Sequence, residues 1–318
     1  MTVMKQSLPD SQGAVEPLEE RTSADAQTSK VLFRLADGST IESTLMYYRN
    51  PGTGRERRTV CVSSQVGCAV GCPFCATGQQ GFKRNLSPDE IISQVLFFLR
   101  RAGDGAIDRE GRVKRGWLTN VVFMGMGEPL ANYDSVRQAV VLLNSPKGMG
   151  MGFHQVTLST AGLVPQIRKL AGENLQFQLA VSLHAANDEL RSRLVPLNAR
   201  YPLAELIPAC REYAGKTRRN IFIEYALFKG INDSPDQAAG LLRLLEGLGC
   251  SINLILGNAT ALQDFIPSSR GAALAFQKVL IAGGIRTMLR VSRGADIEAG
   301  CGQLRSRWLA GEPAPPEL

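Results

Sequence analysis

Cys68, Cys72 and Cys75 lie within one eight-residue segment of the stretch Gly67-Cys68-Ala69-Val70-Gly71-Cys72-Pro73-Phe74-Cys75. Three thiolates on a short loop can hold three irons of a [4Fe–4S] cube, because thiolate is the ligand that such clusters prefer. No fourth cysteine lies nearby, which would leave one iron open to an external ligand. Zinc is the alternative, but a structural zinc site normally closes with four ligands, often as two separated pairs. The spacing therefore favours a cluster with one open iron.

Other candidate residues stand at the ends of short apolar segments. Met124-Gly125-Met126-Gly127-Glu128-Pro129 ends one of them, and its glycines would let a ligand approach the backbone while Glu128 accepts hydrogen bonds from an ammonium group. Ser159 and the run Ser182-Leu183-His184 end the next two. All of these residues could equally be ordinary turn and cap residues.

Two further cysteines are candidates for reactivity. Cys301 lies in Glu298-Ala299-Gly300-Cys301-Gly302-Gln303, where flanking glycines give the sulfur the exposure and reach that a reactive thiol needs. Cys61 lies in Val60-Cys61-Val62, where alternation is also compatible with a core position. Cys210 and Cys250 lie in or beside apolar helical segments and are interpreted as buried fillers.

The composition limits the class of protein. The chain has 318 residues, of which 44% are hydrophobic and 20% charged, as expected for one large α/β domain. No apolar run approaches the roughly 20 residues of a membrane span, and the first 30 residues lack a signal-peptide core, so we expect a cytoplasmic protein without a membrane anchor. The net charge of +7 is compatible with a polyanionic partner, although many basic proteins bind no nucleic acid.

Short apolar strands alternate with helical periods along most of the chain, which predicts a parallel sheet with helices outside it. The strands are expected at 59–63, 120–124, 156–159, 178–183, 220–226, 251–256 and 287–291, and the helices at about 88–101, 132–145, 165–171, 202–214, 234–247 and 269–283. About seven strands are consistent with an open or partial barrel, in which the loops after the strands usually carry the chemistry.

Four segments are expected along the chain. Residues 1–30 are polar, without an apolar period, and are predicted to be a disordered leader. Residues 31–58 form a β-hairpin with an Asp37-Gly38 turn, followed by a basic loop. Residues 59–305 form the α/β barrel and the segment of Cys301, and residues 306–318 are a flexible tail.

The motifs in this order resemble the RlmN/Cfr family of radical-SAM RNA methyltransferases. The resemblance rests on Cys61-Val62-Ser63-Ser64-Gln65-Val66-Gly67-Cys68, Ala76-Thr77-Gly78-Gln79-Gln80-Gly81-Phe82, Met124–Leu130, Arg293-Gly294-Ala295-Asp296-Ile297 and Cys301-Gly302-Gln303-Leu304. It runs from about Val31 to Leu304. The family's rRNA enzymes usually carry an N-terminal accessory domain, whereas about 30 unpatterned residues precede the hairpin in this chain.

The resemblance implies a partial (β/α)₆ barrel that binds a [4Fe–4S] cluster and S-adenosylmethionine. Cys68, Cys72 and Cys75 would hold the cluster. The matching contacts to S-adenosylmethionine are Gly127, Glu128, Ser159, Ser182, Leu183, His184 and Asn258. Cys301 would be methylated by one S-adenosylmethionine, and a radical formed from a second would take hydrogen from that methyl group, so that the carbon adds to adenine. Cys61 would resolve the resulting adduct by disulfide formation, and Glu42 would be the proton acceptor.

The implied substrate is an adenine ring carbon in RNA, most simply carbon 2 in 23S rRNA and also in tRNA. Arg57, Arg58, Lys83 and Arg84 flank the cysteine loop and are the candidate RNA contacts, although each basic group could equally be a solvated surface. A flavodoxin-type or other one-electron reductant and a monomeric state are also expected. The alternatives are the same chemistry at carbon 8 or on another substrate, and a non-catalytic RNA-binding protein with a structural metal site.

Overall fold

A continuous sheet of ten strands dominates the described part of the chain. The structure, a computed structural model, describes residues 14–106, 114, 116–145, 148–173, 175, 177–256, 265–290 and 294–297. The sheet runs in the order β1-β2-β3-β4-β7-β8-β9-β10-β11-β12, with strands β1 (Glu16–Thr22), β2 (Thr28–Arg34), β3 (Thr40–Arg49), β4 (Glu56–Cys61), β7 (Asn120–Phe123), β8 (Val156–Thr160), β9 (Gln178–Ser182), β10 (Ile221–Leu227), β11 (Cys250–Leu256) and β12 (Thr287–Arg290). A separate pair, β5 (Gln65–Gly67) and β6 (Phe82–Asn85), is antiparallel.

From β4 to β12 every strand pairing is parallel, and helices lie between successive strands. The helices are α1 (Ala76–Gln79), α2 (Pro88–Arg101), α3 (Tyr133–Asn144), α4 (Val164–Ala171), α5 (Asp188–Leu194), α6 (Leu203–Thr217), α7 (Pro235–Leu244) and α8 (Arg270–Ala282). The sheet does not close on itself, because β1 and β12 are its two edges. This is the predicted partial barrel of strand and helix units, and the predicted fold class is confirmed.

The N-terminus of α2 has the capping arrangement that its sequence predicts. Ser87 is the N-cap, and its hydroxyl accepts a hydrogen bond from the Glu90 N–H at 3.2 Å. The Glu90 carboxylate in turn accepts the Ser87 N–H at 2.8 Å, and Pro88 occupies the first turn. These bonds satisfy backbone donors that have no partner inside a helix, so the helix start is fixed beside the cysteine loop.

The sequence prediction for the N-terminus is wrong for residues 16–30. Residues 1–30 were expected to be a disordered leader, but β1 spans Glu16–Thr22 and β2 already begins at Thr28, pairing antiparallel over six registered positions. β1 is an edge strand with a largely exposed face, so its polar residues show no apolar alternation, and a bulge after Pro17 interrupts its period. The hairpin of β2 and β3 with its Asp37-Gly38 turn was predicted correctly.

The first and last described segments meet. The turn between β1 and β2 donates a hydrogen bond from the Ala24 N–H to the Asp296 carboxylate at 2.7 Å. Asp296 lies in a 3₁₀ turn, Ala295–Ile297, and the side chain of Ile297 is buried. The N-terminal extension therefore contacts the segment that precedes Cys301 in the sequence.

Candidate active site

The cysteine loop is clamped at both ends by the small β5–β6 sheet. β5 precedes the loop and pairs with β6, which follows it, and the Cys68 N–H donates to the Gly81 carbonyl at 2.9 Å. Inside the loop, the Cys75 N–H donates to the Cys72 carbonyl at 3.0 Å. Gly67 has a φ of +77°, and a Cβ there would lie 1.8 Å from the Gly81 carbonyl oxygen. Only glycine allows this close approach, so the loop geometry depends on the two backbones touching.

The three thiols lie in a partly buried environment. Burial raises the pKa of the Cys68 thiol to about 12, with the charges of Glu128 and Cys75 adding to the shift while a hydrogen bond to the Val70 backbone opposes it. Burial also raises the pKa of Cys72. Thiols in such a site lose their protons only when a strong positive charge is close, which iron ions provide. The donor set and its low-dielectric surroundings therefore fit an iron–sulfur cluster.

The described residues contain no group of three His, Cys, Asp or Glu side chains arranged to hold one metal ion. A single zinc ion would need its thiolates within about 2.3 Å of one centre. A cube instead gives each thiolate its own iron, and so tolerates wider separations between the sulfur atoms. The preference for a cluster over a closed zinc site therefore rests on the sequence spacing of Cys68, Cys72 and Cys75.

Cys61 lies on the face of the sheet that points away from the helices. Its neighbours Val60 and Val62 are both buried in the main apolar core, which packs against the helices. Because side chains alternate along a strand, Cys61 points to the opposite, inner face of the barrel. Cys61 therefore faces the inside of the barrel and does not belong to the apolar core between the sheet and the helices.

Cys61 has cross-strand neighbours on β3 and β2, the strands of the N-terminal hairpin. Its cross-strand partner on β3 is Thr44, and the partner of Thr44 on β2 is Lys30. Glu42 lies two residues from Thr44 on the same strand and therefore faces the same side, diagonal to Cys61. The Lys30 ammonium lies 3.4 Å from the Glu42 carboxylate, and both side chains are buried. The structure thus brings Glu42 and Cys61 to one face, with Lys30 beside them.

The Glu128 carboxylate is occupied by backbone donors. One oxygen accepts the Leu130 N–H at 3.0 Å, and the other accepts the Ala161 N–H at 2.7 Å. Burial raises the pKa of Glu128 to about 7, and these two hydrogen bonds oppose the shift. The side chain thus ties the end of β7 to the end of β8. Each oxygen keeps further acceptor capacity, so hydrogen bonding of Glu128 to an ammonium group stays a prediction.

Gly127 lies against Gln65, the first residue of β5. Its φ is +103°, and a Cβ at Gly127 would lie 2.6 Å from the Gln65 side chain. The Gln65 side chain also accepts the Glu128 N–H at 2.8 Å. The Gly-Glu turn is therefore held directly behind the cysteine loop, where its remaining backbone groups can face a ligand.

His184 packs against the cysteine loop at the end of β9. Its ring meets Phe74 edge to face, with centroids 5.0 Å apart, and its Nδ1 accepts the Ala226 N–H at 3.0 Å. Burial, together with the charge of Arg191, lowers the pKa of His184 to about 3. The imidazole is consequently neutral, and its Nε2 carries the proton. The backbone is left-handed here, with φ +59°.

The two other matched strand-end positions flank this residue. Ser159 is half-buried near the end of β8, and Ser182 is half-buried at the end of β9, where its carbonyl accepts from Arg191 at 3.3 Å. Leu183 is fully buried, and its N–H donates to the Glu224 carbonyl at 3.0 Å. These residues therefore lie along consecutive strand ends, as the sequence predicts for the mouth of a parallel barrel.

Arg191 is a candidate that sequence reasoning missed. It is fully buried on α5, and its guanidinium donates to the Ala161 carbonyl at 2.6 Å and to the Asn198 side chain at 2.8 Å. Burial lowers its pKa to about 10, and the proximity of Cys72 opposes that shift. The sequence around it indicates only where α5 begins, since Asn187 caps the helix through the Leu190 N–H, and it does not indicate that Arg191 is buried.

A cleft of about 270 Å³ opens beside the cysteine loop, lined by Leu190, Arg193, Leu194, Ile231 and Phe265. Phe265 belongs to an aromatic group with Phe74 and Phe228, whose ring centroids are 5.2 to 6.2 Å apart. An apolar, aromatic-walled cleft next to the loop can accommodate a planar ring.

The four basic candidates differ in their surroundings. The Arg84 guanidinium contacts Asp37 at 2.7 Å and Glu90 at 2.8 Å, and Arg58 contacts Glu56 at 2.5 Å and lies over the Trp117 ring. Arg57 and Lys83 are both exposed, and desolvation together with the charge of Arg290 lowers the pKa of Arg57. Contact of all four with RNA stays a prediction, and Arg57 and Lys83 are the two whose side chains are exposed.

Cys301 and Asn258 lie outside the described residues. Their assignments therefore rest on the sequence motifs alone. None of the helices in the described ranges is long and apolar enough to cross a membrane.

Comparisons with known proteins agree with this geometry. Residues 62–242 match the model of the radical SAM superfamily. The chain is 48% identical to a dual-specificity RNA methyltransferase RlmN of Syntrophobacter fumaroxidans, over 90% of this chain and 78% of the relative. It is 44% identical to the ribosomal RNA large subunit methyltransferase N of Nitrosopumilus maritimus, over 92% of this chain and 81% of the relative.

A solved structure extends the likeness to three dimensions. The crystal structure of a radical SAM methyltransferase from Sphaerobacter thermophilus matches with a TM-score of 0.83 and 49% identity, covering 91% of this chain and 81% of that one. The family implies a [4Fe–4S] cluster and S-adenosylmethionine, as the cysteine loop does. The chain therefore belongs to the RlmN/Cfr family within the radical SAM superfamily, and it is an S-adenosylmethionine-dependent radical RNA methyltransferase.

Proposed function

We propose that this enzyme methylates carbon 2 of an adenosine in 23S rRNA, that tRNA is a second substrate, and that the methyl group passes through a methylated cysteine. The relatives named for the large ribosomal subunit and for dual specificity support this choice of RNA. The observation that carries the mechanism is the position of Cys61 on the inner face of the barrel, apart from the cysteine loop and on the same face as Glu42. Action on ribosomal RNA would place the enzyme in the cytoplasm.

The cofactor residues have distinct roles in this proposal. Cys68, Cys72 and Cys75 hold the cluster. The turn at Gly127-Glu128, the strand ends at Ser159 and Ser182-Leu183-His184, and Asn258 hold S-adenosylmethionine. When bound, the cluster and S-adenosylmethionine supply radical chemistry, which can functionalise an adenine carbon that is not nucleophilic. A flavodoxin-type or other one-electron reductant provides the electron, and the enzyme acts as a monomer.

Three side chains of this chain then handle the methyl group and the proton. Cys301 carries the methyl group on its sulfur and brings its carbon to the adenine ring, so that the RNA becomes tethered to the protein. Glu42 takes the proton from the adenine carbon, and the unpaired electron that the addition leaves on the ring would pass to the bound cluster. Cys61 attacks the Cys301 sulfur, so that a disulfide forms, the bond between that sulfur and the transferred carbon breaks, and that carbon takes up a proton to become the product methyl group.

The test is peptide mass spectrometry of protein produced with iron and S-adenosylmethionine. One extra methyl group on Cys301 is expected, and the Cys301→Ala variant serves as the control. Digestion of treated 23S rRNA fragments to nucleosides then identifies the methylated adenine carbon. An unmodified Cys301 in protein that still cleaves S-adenosylmethionine would rule out the methylated-cysteine route, and 8-methyladenosine as product would rule out carbon 2.

A further inference from the structure

Two buried polar side chains on neighbouring strands have atoms left without a partner inside the described structure. Glu224 on β10 and Asn253 on β11 are cross-strand partners, and the Asn253 amide donates to one Glu224 carboxylate oxygen at 2.7 Å. The second carboxylate oxygen of Glu224 and the side-chain carbonyl of Asn253 are buried, and no described group bonds to either. Glu224 is 4% exposed and Asn253 is fully buried. Buried acceptors left unpaired are uncommon and call for an explanation.

Both side chains point into the barrel. Their neighbours along the strands, Ile223, Tyr225 and Ile252, are fully buried in the core beneath the helices, and Tyr225 packs on Phe276 of α8. Alternation along each strand therefore turns Glu224 and Asn253 to the inner face. This is the face that carries Cys61.

Glu224 and Asn253 lie deeper in the barrel than the residues that contact the cysteine loop. Glu224 is the cross-strand partner of Ser182 and stands two residues before Ala226, whose side chain belongs to the apolar group that contacts Cys72 and Phe74. Two residues along a strand correspond to about 7 Å. A ligand held by the loop and the strand ends would thus extend down toward Glu224 and Asn253.

The unpaired atoms define what kind of group fits. Both are acceptors, and the orientation of the Asn253 amide is fixed because its NH₂ already faces the carboxylate. A group with two hydrogens on one atom can satisfy both neighbouring acceptors at once. Adenine presents such a group at position 6, and carboxylate or amide oxygens commonly read base amino groups.

We propose that Glu224 and Asn253 form the binding site for the 6-amino group of an adenine. This inference rests on the proposed function, because both S-adenosylmethionine and the target adenosine of the RNA carry an adenine. The pair would then select adenine over guanine or hypoxanthine, which present an oxygen acceptor at position 6 and would face two acceptors.

The decisive variant is Glu224→Gln in the cluster-loaded full-length enzyme. Glutamine keeps the size and the acceptor for Asn253, but it can place an NH₂ donor where the unpaired oxygen was. Replacing a buried acceptor by a donor removes the hydrogen bond and leaves two donors facing each other, which weakens binding on the order of 10- to 100-fold. The matched control is Thr157→Val, which removes a buried hydroxyl from the inner face of β8. Thermal unfolding of each variant verifies that it is folded.

Two measurements distinguish the source of the adenine. Weaker equilibrium binding of S-adenosylmethionine to Glu224→Gln would assign the site to the cofactor. Unchanged binding of S-adenosylmethionine, together with a 10- to 100-fold loss in binding and methylation of the RNA, would assign it to the target base. In that case an RNA with inosine at the target should bind the variant better, relative to wild type, because its oxygen meets the new donor.

The unaltered enzyme gives a test that does not depend on folding of a variant. Replacing adenine by hypoxanthine, either in S-adenosylmethionine or at the RNA target, should weaken binding of the corresponding molecule by a similar factor. If neither replacement weakens binding and Glu224→Gln behaves as Thr157→Val does, the pair binds water only and the inference is wrong. A wild-type enzyme that binds both molecules but does not methylate RNA would instead refute the proposed function, while the binding measurements would still decide the inference.

Discussion

The ammonium group of Lys30 lies 3.4 Å from the carboxylate of Glu42, and both side chains are almost fully buried on the inner face of the sheet. A buried ion pair of this kind is costly to break from one side, because removal of one partner leaves the other charge buried. The proposed proton acceptor is therefore held by a cation on the neighbouring strand.

Lys30→Met should destabilise the protein strongly. We expect the free energy of unfolding to fall by about 3–5 kcal/mol, the usual cost of leaving one charge of a buried pair behind. Urea denaturation of the purified variant measures this change.

The double variant Lys30→Met/Glu42→Leu is the control for that prediction. It removes both charges, so it should recover at least half of the stability that Lys30→Met loses. If the losses of the two single variants simply add in the double variant, the two residues do not form an energetically coupled pair.

Substitution of Gly67 by alanine should prevent the cysteine loop from holding a cluster, whereas the same substitution at Gly71 should not. Both have positive φ, +77° and +69°, so alanine at either costs about 1–2 kcal/mol in backbone strain. Only at Gly67 would the added Cβ strike a backbone atom, the Gly81 carbonyl oxygen. Iron and sulfide assays after reconstitution should find little cluster in Gly67→Ala and near-normal cluster in Gly71→Ala. Equal cluster content in the two variants would contradict the clamp.

His184 should make the stability of the cluster-free protein depend on pH. Its pKa is about 3 in the folded chain and about 6.5 in the unfolded chain, so the unfolded state binds more protons between these values. The stability that its neutral form contributes is complete above about pH 6.5 and is lost as the pH falls toward 3, by at most about 1.4 kcal/mol per pH unit.

His184→Asn isolates this contribution, because asparagine tolerates the left-handed backbone and does not titrate. The difference in unfolding free energy between wild type and variant should shrink between pH 6.5 and 4. The variant must be compared with wild type because Glu128 also titrates in this range. Its pKa is raised to about 7, so its contribution to the unfolding free energy falls as the pH rises from about 4.5 to 7. Parallel stability curves for the two proteins would show that His184 does not titrate as described.

Lys83 and Arg84 should respond differently to substitution by alanine. Lys83 is exposed, so if it contacts a phosphate, Lys83→Ala should bind RNA more weakly. The slope of the logarithm of the binding constant against the logarithm of the salt concentration should then fall by about 1. Arg84 links Asp37 to Glu90, so its loss should mainly lower stability, by about 1 kcal/mol given its partial exposure. RNA affinity at several salt concentrations, measured beside urea denaturation, separates the two effects. A larger affinity loss for Arg84→Ala than for Lys83→Ala would reverse the assignment.

The sequence was sufficient to predict the barrel, because its parallel strands are short apolar runs separated by segments with a helical period. Ser87-Pro88-Asp89-Glu90 specified the start of α2 through local hydrogen bonds alone. β1 was missed because an edge strand with one exposed face needs no apolar period. Its pairing with β2 depends on tertiary contacts that local composition does not encode.

The candidate site was predictable where a motif fixes local geometry, and less so where distant residues meet. The cysteine loop was recognisable from its spacing. The location of Cys61 on the inner face could be assigned only from the pairing of β4 with β3 and β7. The hydrogen bonds from Leu130 and Ala161 to the Glu128 carboxylate form only when the ends of β7 and β8 lie side by side. Arg191, Glu224 and Asn253 are single polar residues in apolar surroundings, and their importance is visible only once burial and unpaired atoms are known.

The hydrogen bond between Ala24 and Asp296 joins residues 272 positions apart in the chain. Contacts of such long range carry the largest loop-closure entropy, so they form late in folding. The segment leading to Cys301 can therefore dock only after the intervening strands have assembled. A partly folded chain would therefore lack this junction, and the turn between β1 and β2 would meet the turn at Ala295–Ile297 only in the completed sheet.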